Sequence, residues 1–170
     1  MNIESSTLVL RTANATTINA TRTTATWRIN LRACLGNLYN KYNRFKICLT
    51  SWGTGVAVNG FTSDDVTTFV SMSGLQWENQ TYDVVTNGLT QNAAISSLRF
   101  TNNGVALENF TGEVGQVFRK PNFDELQVTI NIQKISGAAL PALAYPQCCY
   151  VFSIYGVPDD EKHEVIKSKK

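Results

Sequence analysis

Any chemistry in these 170 residues would have to come from one histidine, four cysteines and a few paired acids. His163 stands in a strongly charged C-terminal stretch. A Ser or Cys nucleophile needs a base held against it by a third group, which a stretch of that composition cannot supply. The cysteines, Cys34, Cys48, Cys148 and Cys149, lack the Cys-x2-4-Cys spacing that lets two thiolates converge on tetrahedral zinc. Cys148 and Cys149 adjoin a strand-like run, where successive side chains point to opposite faces, so one thiol is expected inside and one outside. A bridge between Cys34 and Cys48, or from either to the pair, would need an oxidising compartment that nothing in the sequence signals.

Asp64-Asp65 and Asp159-Asp160 could hold a divalent cation or share acid and base roles. Adjacent side chains diverge in an extended chain, however, and both pairs fall in expected loops, where acids serve as solvated turn residues. EF-hand spacing is absent, as are Gly-x4-Gly-Lys-Ser/Thr and a strand-bound Gly-x-Gly-x-x-Gly. The expectation is a protein that is not an enzyme, with no catalytic residue, no cofactor and no metal. Tyr39-Asn-Lys-Tyr-Asn-Arg-Phe-Lys interleaves aromatics with cations that could stack bases and track phosphates. Its Leu38, Tyr39 and Tyr42 also fall on one helical stripe, and a pI of about 8.4 is low for a nucleic-acid domain, so packing is preferred. Trp27, Trp52 and Trp77 could line a sugar platform, but large aromatics in a sandwich more often fill its inner layer.

The elements that would position such residues are strands. With 43% hydrophobic and 16% charged residues, and many Thr and Asn, the chain fits one β-rich domain. Strand-like runs cover Ser6 to Thr12, Ala25 to Leu31, Phe45 to Ser51, Thr67 to Ser73, Tyr82 to Val85, Ile95 to Thr101, Gly115 to Arg119, Leu126 to Ile135 and Cys149 to Tyr155. Alternation is clearest from Leu126 to Ile132. Asn59-Gly60, Asn87-Gly88 and Asn103-Gly104 supply turns. Between the second and third strands, Leu35, Leu38, Tyr39 and Tyr42 predict one short helix over Arg32 to Tyr42. Eight or nine strands with an early helical crossover fit an all-β single jelly-roll β-sandwich better than a seven-stranded immunoglobulin fold.

The domain is expected to run from 1 to 158. Residues 159–170 carry four acids and four bases and form an expected mobile tail. Ala13 to Thr26, poor in core formers, is expected to be a loop or arm reaching a neighbour. The apolar run from Ala138 to Ala144 is too short to span a bilayer. The N-terminus shows no signal peptide, which predicts cytosolic synthesis and leaves the sequons at Asn14, Asn19, Asn79 and Asn109 unused. Charge is segregated: residues 1–50 set seven basic side chains against Glu4, and residues 51–118 set six acids against Arg99. That opposition either joins copies of the chain or closes within one monomer.

Three stretches carry a family resemblance: Asn37-Leu-Tyr-Asn-Lys-Tyr-Asn-Arg-Phe-Lys-Ile-Cys-Leu-Thr-Ser, Ser73-Gly-Leu-Gln-Trp-Glu-Asn-Gln-Thr-Tyr-Asp-Val-Val-Thr, and Tyr150-Val-Phe-Ser-Ile-Tyr-Gly-Val. Together they resemble the small capsid proteins of large icosahedral double-stranded DNA viruses, over about residues 6 to 158. The resemblance implies a single jelly roll that forms the fivefold penton or a minor capsid position. It also implies a place in the virion after synthesis in the host cytoplasm. Its implied partners are other capsid proteins including a major capsid protein, and further copies of itself, five if it is the penton. No specific nucleic acid and no membrane span belong to that reading, and the family brings no catalytic residues. The main alternative is a carbohydrate- or receptor-binding jelly roll. A cupin-like enzyme would need inward His and carboxylate ligands, which His163 cannot provide.

Overall fold

Alternating β-branched, aromatic and hydroxyl residues make strands that bury one face and wet the other. The computed structural model describes residues 4–18, 24–54, 67–78, 81–83, 88–90, 93–99, 107–109, 115–134 and 148–159. Its strands are β1 (Ser5–Arg11), β2 (Thr17–Ile18), β3 (Thr24–Asn30), β4 (Arg44–Thr54), β5 (Thr67–Ser73), β6 (Gln76–Trp77), β7 (Thr81–Asp83), β8 (Gly88–Thr90), β9 (Ala93–Arg99), β10 (Leu107–Asn109), β11 (Gln116–Arg119), β12 (Glu125–Lys134) and β13 (Cys148–Val157). Between β3 and β4 come two one-turn helices, α1 (Leu31–Leu35) and α2 (Asn37–Lys41).

The pairing is that of one long antiparallel ribbon. β1 lies against β13, β3 against β12, β4 against β11, and β5 against β9. Rolling the ribbon up also sets β13 beside β4 and β12 beside β5. Two antiparallel sheets result, ordered β1-β13-β4-β11-β6 and β2-β3-β12-β5-β9, with β10 on β4 beyond the end of β11. This strand order is a jelly roll, and the helices sit in the early crossover as expected.

Inward residues alternate along each central strand. On β13 they are Cys148, Tyr150, Phe152 and Ile154; on β12, Val128 and Ile130; on β3, Ala25 and Trp27. Trp27 meets Tyr150 edge-on across the two layers, with centroids 6.2 Å apart. On β4 the inward set Phe45, Ile47 and Leu49 is followed by Trp52 instead of Ser51. The cause is a bulge: Leu49 pairs with Phe152 and Ser51 with Val151, leaving Thr50 as the extra residue. The Thr50 hydroxyl donates to the Val151 carbonyl at 3.0 Å.

The outer face of the second sheet is polar. Thr26 and Thr129 stand opposite each other with hydroxyls 2.9 Å apart, and the Thr24 hydroxyl donates to Asn131 at 3.3 Å. A cross-strand pair of this kind satisfies its own hydrogen bonds without a partner molecule.

Two expectations need correction. The single helix over Arg32 to Tyr42 is broken at Gly36, whose φ of 54° and ψ of −124° end α1 and start α2. A helix of about ten residues is marginal by itself, so tertiary packing decides. The stripe survives the break: Leu35, Leu38 and Tyr39 are buried, with Tyr42 packed against them. The arm from Ala13 to Thr26 does not behave as one in its described parts. Thr17 and Ile18 pair with Thr26 and Ala25, and Ala25 is fully buried in the core. The β3 ladder claims those residues although their composition is poor in core formers.

Candidate assembly surface

One end of the sandwich is built from the α1–α2 crossover and the turn Lys120–Asp124 between β11 and β12. Asn30 caps α1 by accepting from the Ala33 amide at 2.9 Å. Backbone bonds then tie the two segments together: the Leu31 amide donates to the Asp124 carbonyl at 2.7 Å, and the Lys120 amide to the Asn43 carbonyl at 2.8 Å.

Tyr39 is the hub. Its hydroxyl donates to Asp124 Oδ1 at 2.5 Å, while Arg32 pairs with Asp124 Oδ2 at 3.0 Å. Both cations also stack on its ring, with the Arg32 guanidinium carbon 4.9 Å and Lys120 Nζ 4.3 Å from the centroid. Lys120 Nζ further donates to the Tyr39 carbonyl at 2.5 Å. The hydrogen bond to Asp124 comes first in holding the Tyr39 phenol above its ordinary value, and burial adds to it. The turn is therefore fixed at Lys120, at buried Pro121 and at Asp124. At its tip Phe123 is 74% exposed. A large apolar side chain displayed on a rigid turn is the kind of group that anchors a protein contact.

Beside this turn, Glu78 receives Arg44 in a bidentate pair, with both N···O distances 2.7 Å, and Arg119 Nε at 3.2 Å. The Arg44 hydrogen bond comes first in lowering the Glu78 carboxyl below its ordinary 4.5, against burial, with Arg119 adding to it. A group with a lowered folded value stabilises the fold above its unfolded value, and that support disappears as pH falls through the folded value. Glu78→Gln should therefore flatten the loss of stability below pH 4.5, measured by urea midpoints from pH 7 down to pH 2. Arg44 comes from the basic first third of the chain and Glu78 from its acidic middle, so this part of the charge opposition closes within the monomer.

The residues singled out in the sequence lie elsewhere or take packing roles. His163, Asp64, Asp65, Asp160, Asn19 and Asn79 fall outside the described residues, as does the run from Ala138 to Ala144. Asp159 is exposed and accepts from Asn43 at 3.2 Å. None of the four cysteines is in a disulfide; Cys48 and Cys148 are buried, and Cys34 and Cys149 half-buried. Burial pushes Cys148 up to about 12 and also raises Cys34. Trp27 and Trp52 are buried, and Trp77 packs edge-on against Phe118 at 6.0 Å, so these side chains fill the inner layer and do not form an open sugar platform. Among the described residues, no helix is long and apolar enough to cross a membrane.

No family model matches this chain, and no curated protein matches it. A solved structure overlaps it: the D431N mutant VP2 protein of infectious bursal disease virus, in derived T=1 particles. The TM-score is 0.29 and the identity 9%, over 90% of this chain and 36% of that one. The chain thus spans about a third of that protein's length. The jelly-roll assignment rests on the strand order itself.

Phe123 belongs to none of the motifs singled out in the sequence. The signal was present in Lys120-Pro-Asn-Phe-Asp, a turn sequence between two strands with an aromatic at its tip.

Proposed function

We propose that the protein is a non-catalytic structural subunit of a viral capsid, forming the fivefold penton or a minor capsid position. Its work is geometric. A rolled β-sandwich holds a rigid end toward its neighbours, and repeated weak contacts sum to a stable shell. The observation that carries this reading is the braced Lys120–Asp124 turn, which spends two backbone bonds, an ion pair and a Tyr39 hydroxyl bond on displaying Phe123 to solvent. The three stretches that resemble small capsid proteins of double-stranded DNA viruses lend support, and a jelly roll suits the role. Partners under this reading are a major capsid protein and further copies of the chain.

Mass measurement of the purified protein tests it. A pentamer is the expected result for a penton. A monomer that adds only to preassembled capsomers is expected for a minor position. A monomer that joins neither copies nor capsomers would remove the proposal. Binding to a glycan array would favour the receptor-binding alternative, and the contacting residues would then have to be sought away from Trp52.

A further inference from the structure

The turn that carries Phe123 and the start of the C-terminal segment leave the same end of the sandwich. Val157, the last residue of β13, pairs with Arg44 of β4, and Arg44 pairs with Arg119, the last residue of β11. Where β13 and β11 end, they are therefore two strand spacings apart, about 10 Å. Past Val157 the chain is held: Arg44 Nη1 donates to the Pro158 carbonyl at 3.4 Å, and Asn43 Nδ2 to Asp159 Oδ2 at 3.2 Å. The Asn43 carbonyl also accepts from the Lys120 amide at 2.8 Å. One residue thus bonds both Asp159 and the first residue of the turn.

We propose that residues 160–170 of the same chain fold back over this turn and lay Val165 and Ile166 on Phe123. The inference rests on the assembly reading above and names what covers its contact group in the free subunit. Length permits the contact. Six residues take the chain from Asp159 to Val165 and span up to about 20 Å, whereas three lead from Lys120 to Phe123 and span at most about 10 Å. Val165 and Ile166 are the only apolar residues from 159 to 170. Laid on Phe123, they and the ring leave water together.

Charge order agrees. Along the turn come Lys120, Phe123 and Glu125; along the segment come Asp160 and Glu161, then Val165 and Ile166, then Lys167, Lys169 and Lys170. Starting side by side at Asp159 and Lys120, each charged group meets its opposite, and the intervening Lys162 and Glu164 cancel. The two charges on the turn are not already taken. Lys120 Nζ rests on the ring and carbonyl of Tyr39, and neither it nor the exposed Glu125 belongs to an ion pair among the described residues. Complementary charges of this kind fix register.

Fluorescence tests the contact in the full chain. In Phe123→Trp, acrylamide should quench position 123 about threefold more steeply once the chain is cut after Asp159, the change expected on removing a contact formed about two-thirds of the time. The same cut in the parent chain corrects for Trp27, Trp52 and Trp77. In the uncut chain, Val165→Asp with Ile166→Asp should match the cut at an unchanged melting temperature. Protection should hold on dilution, because the contact lies within one chain. Equal quenching with and without residues 160–170 would overturn the proposal, as would protection that survives the double substitution or fades on dilution. Self-association is read separately. A chain that protects position 123 yet joins neither copies nor capsomers would keep this contact and remove the assembly reading; a self-associating chain with no protection would do the reverse.

Discussion

Trp52→Ala should lower the unfolding free energy by about 3–5 kcal/mol, the usual cost of emptying the site of a fully buried large aromatic. Trp52 has 0% exposure and stands opposite Tyr150 of β13 on one side and Glu108 of β10 on the other. Its loss would leave a void in the core beneath β4, which its ladders with β13 and β10 hold from collapsing into it. For a domain of this size the melting temperature should fall by roughly 10 °C. Ser51→Ala, one residue earlier and half-buried, should change stability by less than about 0.5 kcal/mol. The comparison by calorimetry tests the bulge directly. If Ser51→Ala were the more damaging change, Thr50 could not be the extra residue.

Gly74→Ala should cost about 3 kcal/mol, from left-handed strain and a backbone collision together. The φ of 99° at Gly74 is one that side chains seldom adopt, and a Cβ there would lie 1.9 Å from the Gln127 carbonyl oxygen of β12. No side chain can swing aside, because the obstacle is the neighbouring strand's main chain. The turn would have to lift from β12, carrying buried Leu75 and then Trp77 and Glu78 with it. Chemical denaturation should show the loss, and near-ultraviolet circular dichroism should show changed packing of Trp77 on Phe118. Gly36→Ala is the matched comparison. Its φ is also positive, at 54°, but nothing lies within 4 Å of an added Cβ. Strain alone, without a collision, should cost it about 1–3 kcal/mol.

The long strands were legible because burial on one face imposes a period of two. Thr67–Ser73 has the same limits in sequence and structure, and the alternation through Ile132 marks the centre of β12. The early helical crossover was legible from its stripe, which burial preserves even though Gly36 divides the helix. Two-residue strands were not legible. Thr17–Ile18 and Gln76–Trp77 are too short to carry any period, and their partners create them. The bulge at Thr50 was hidden for a related reason. Which of Ser51 and Trp52 turns inward depends on the register with β13, a strand about a hundred residues away. The candidate surface was half legible. The helical stripe shows Tyr39 as a packing residue, but its bonds to Asp124 and Lys120 join segments that only the fold brings together.

The place of β13 bears on how a new chain acquires its shape. β13 lies in the interior of its sheet, between β1, the first strand described, and β4. Leu10 faces Tyr150 across that junction. During synthesis, the edges of β1 and β4 that face β13 must therefore stay unpaired until residues 148–157 have emerged. Contacts so distant in sequence slow folding and prolong the exposure of unpaired strands. A truncation before Cys148 would remove the middle of the layer and separate β1 from β4. How quickly β13 docks should then govern the yield of folded chain, and added chaperone should raise that yield.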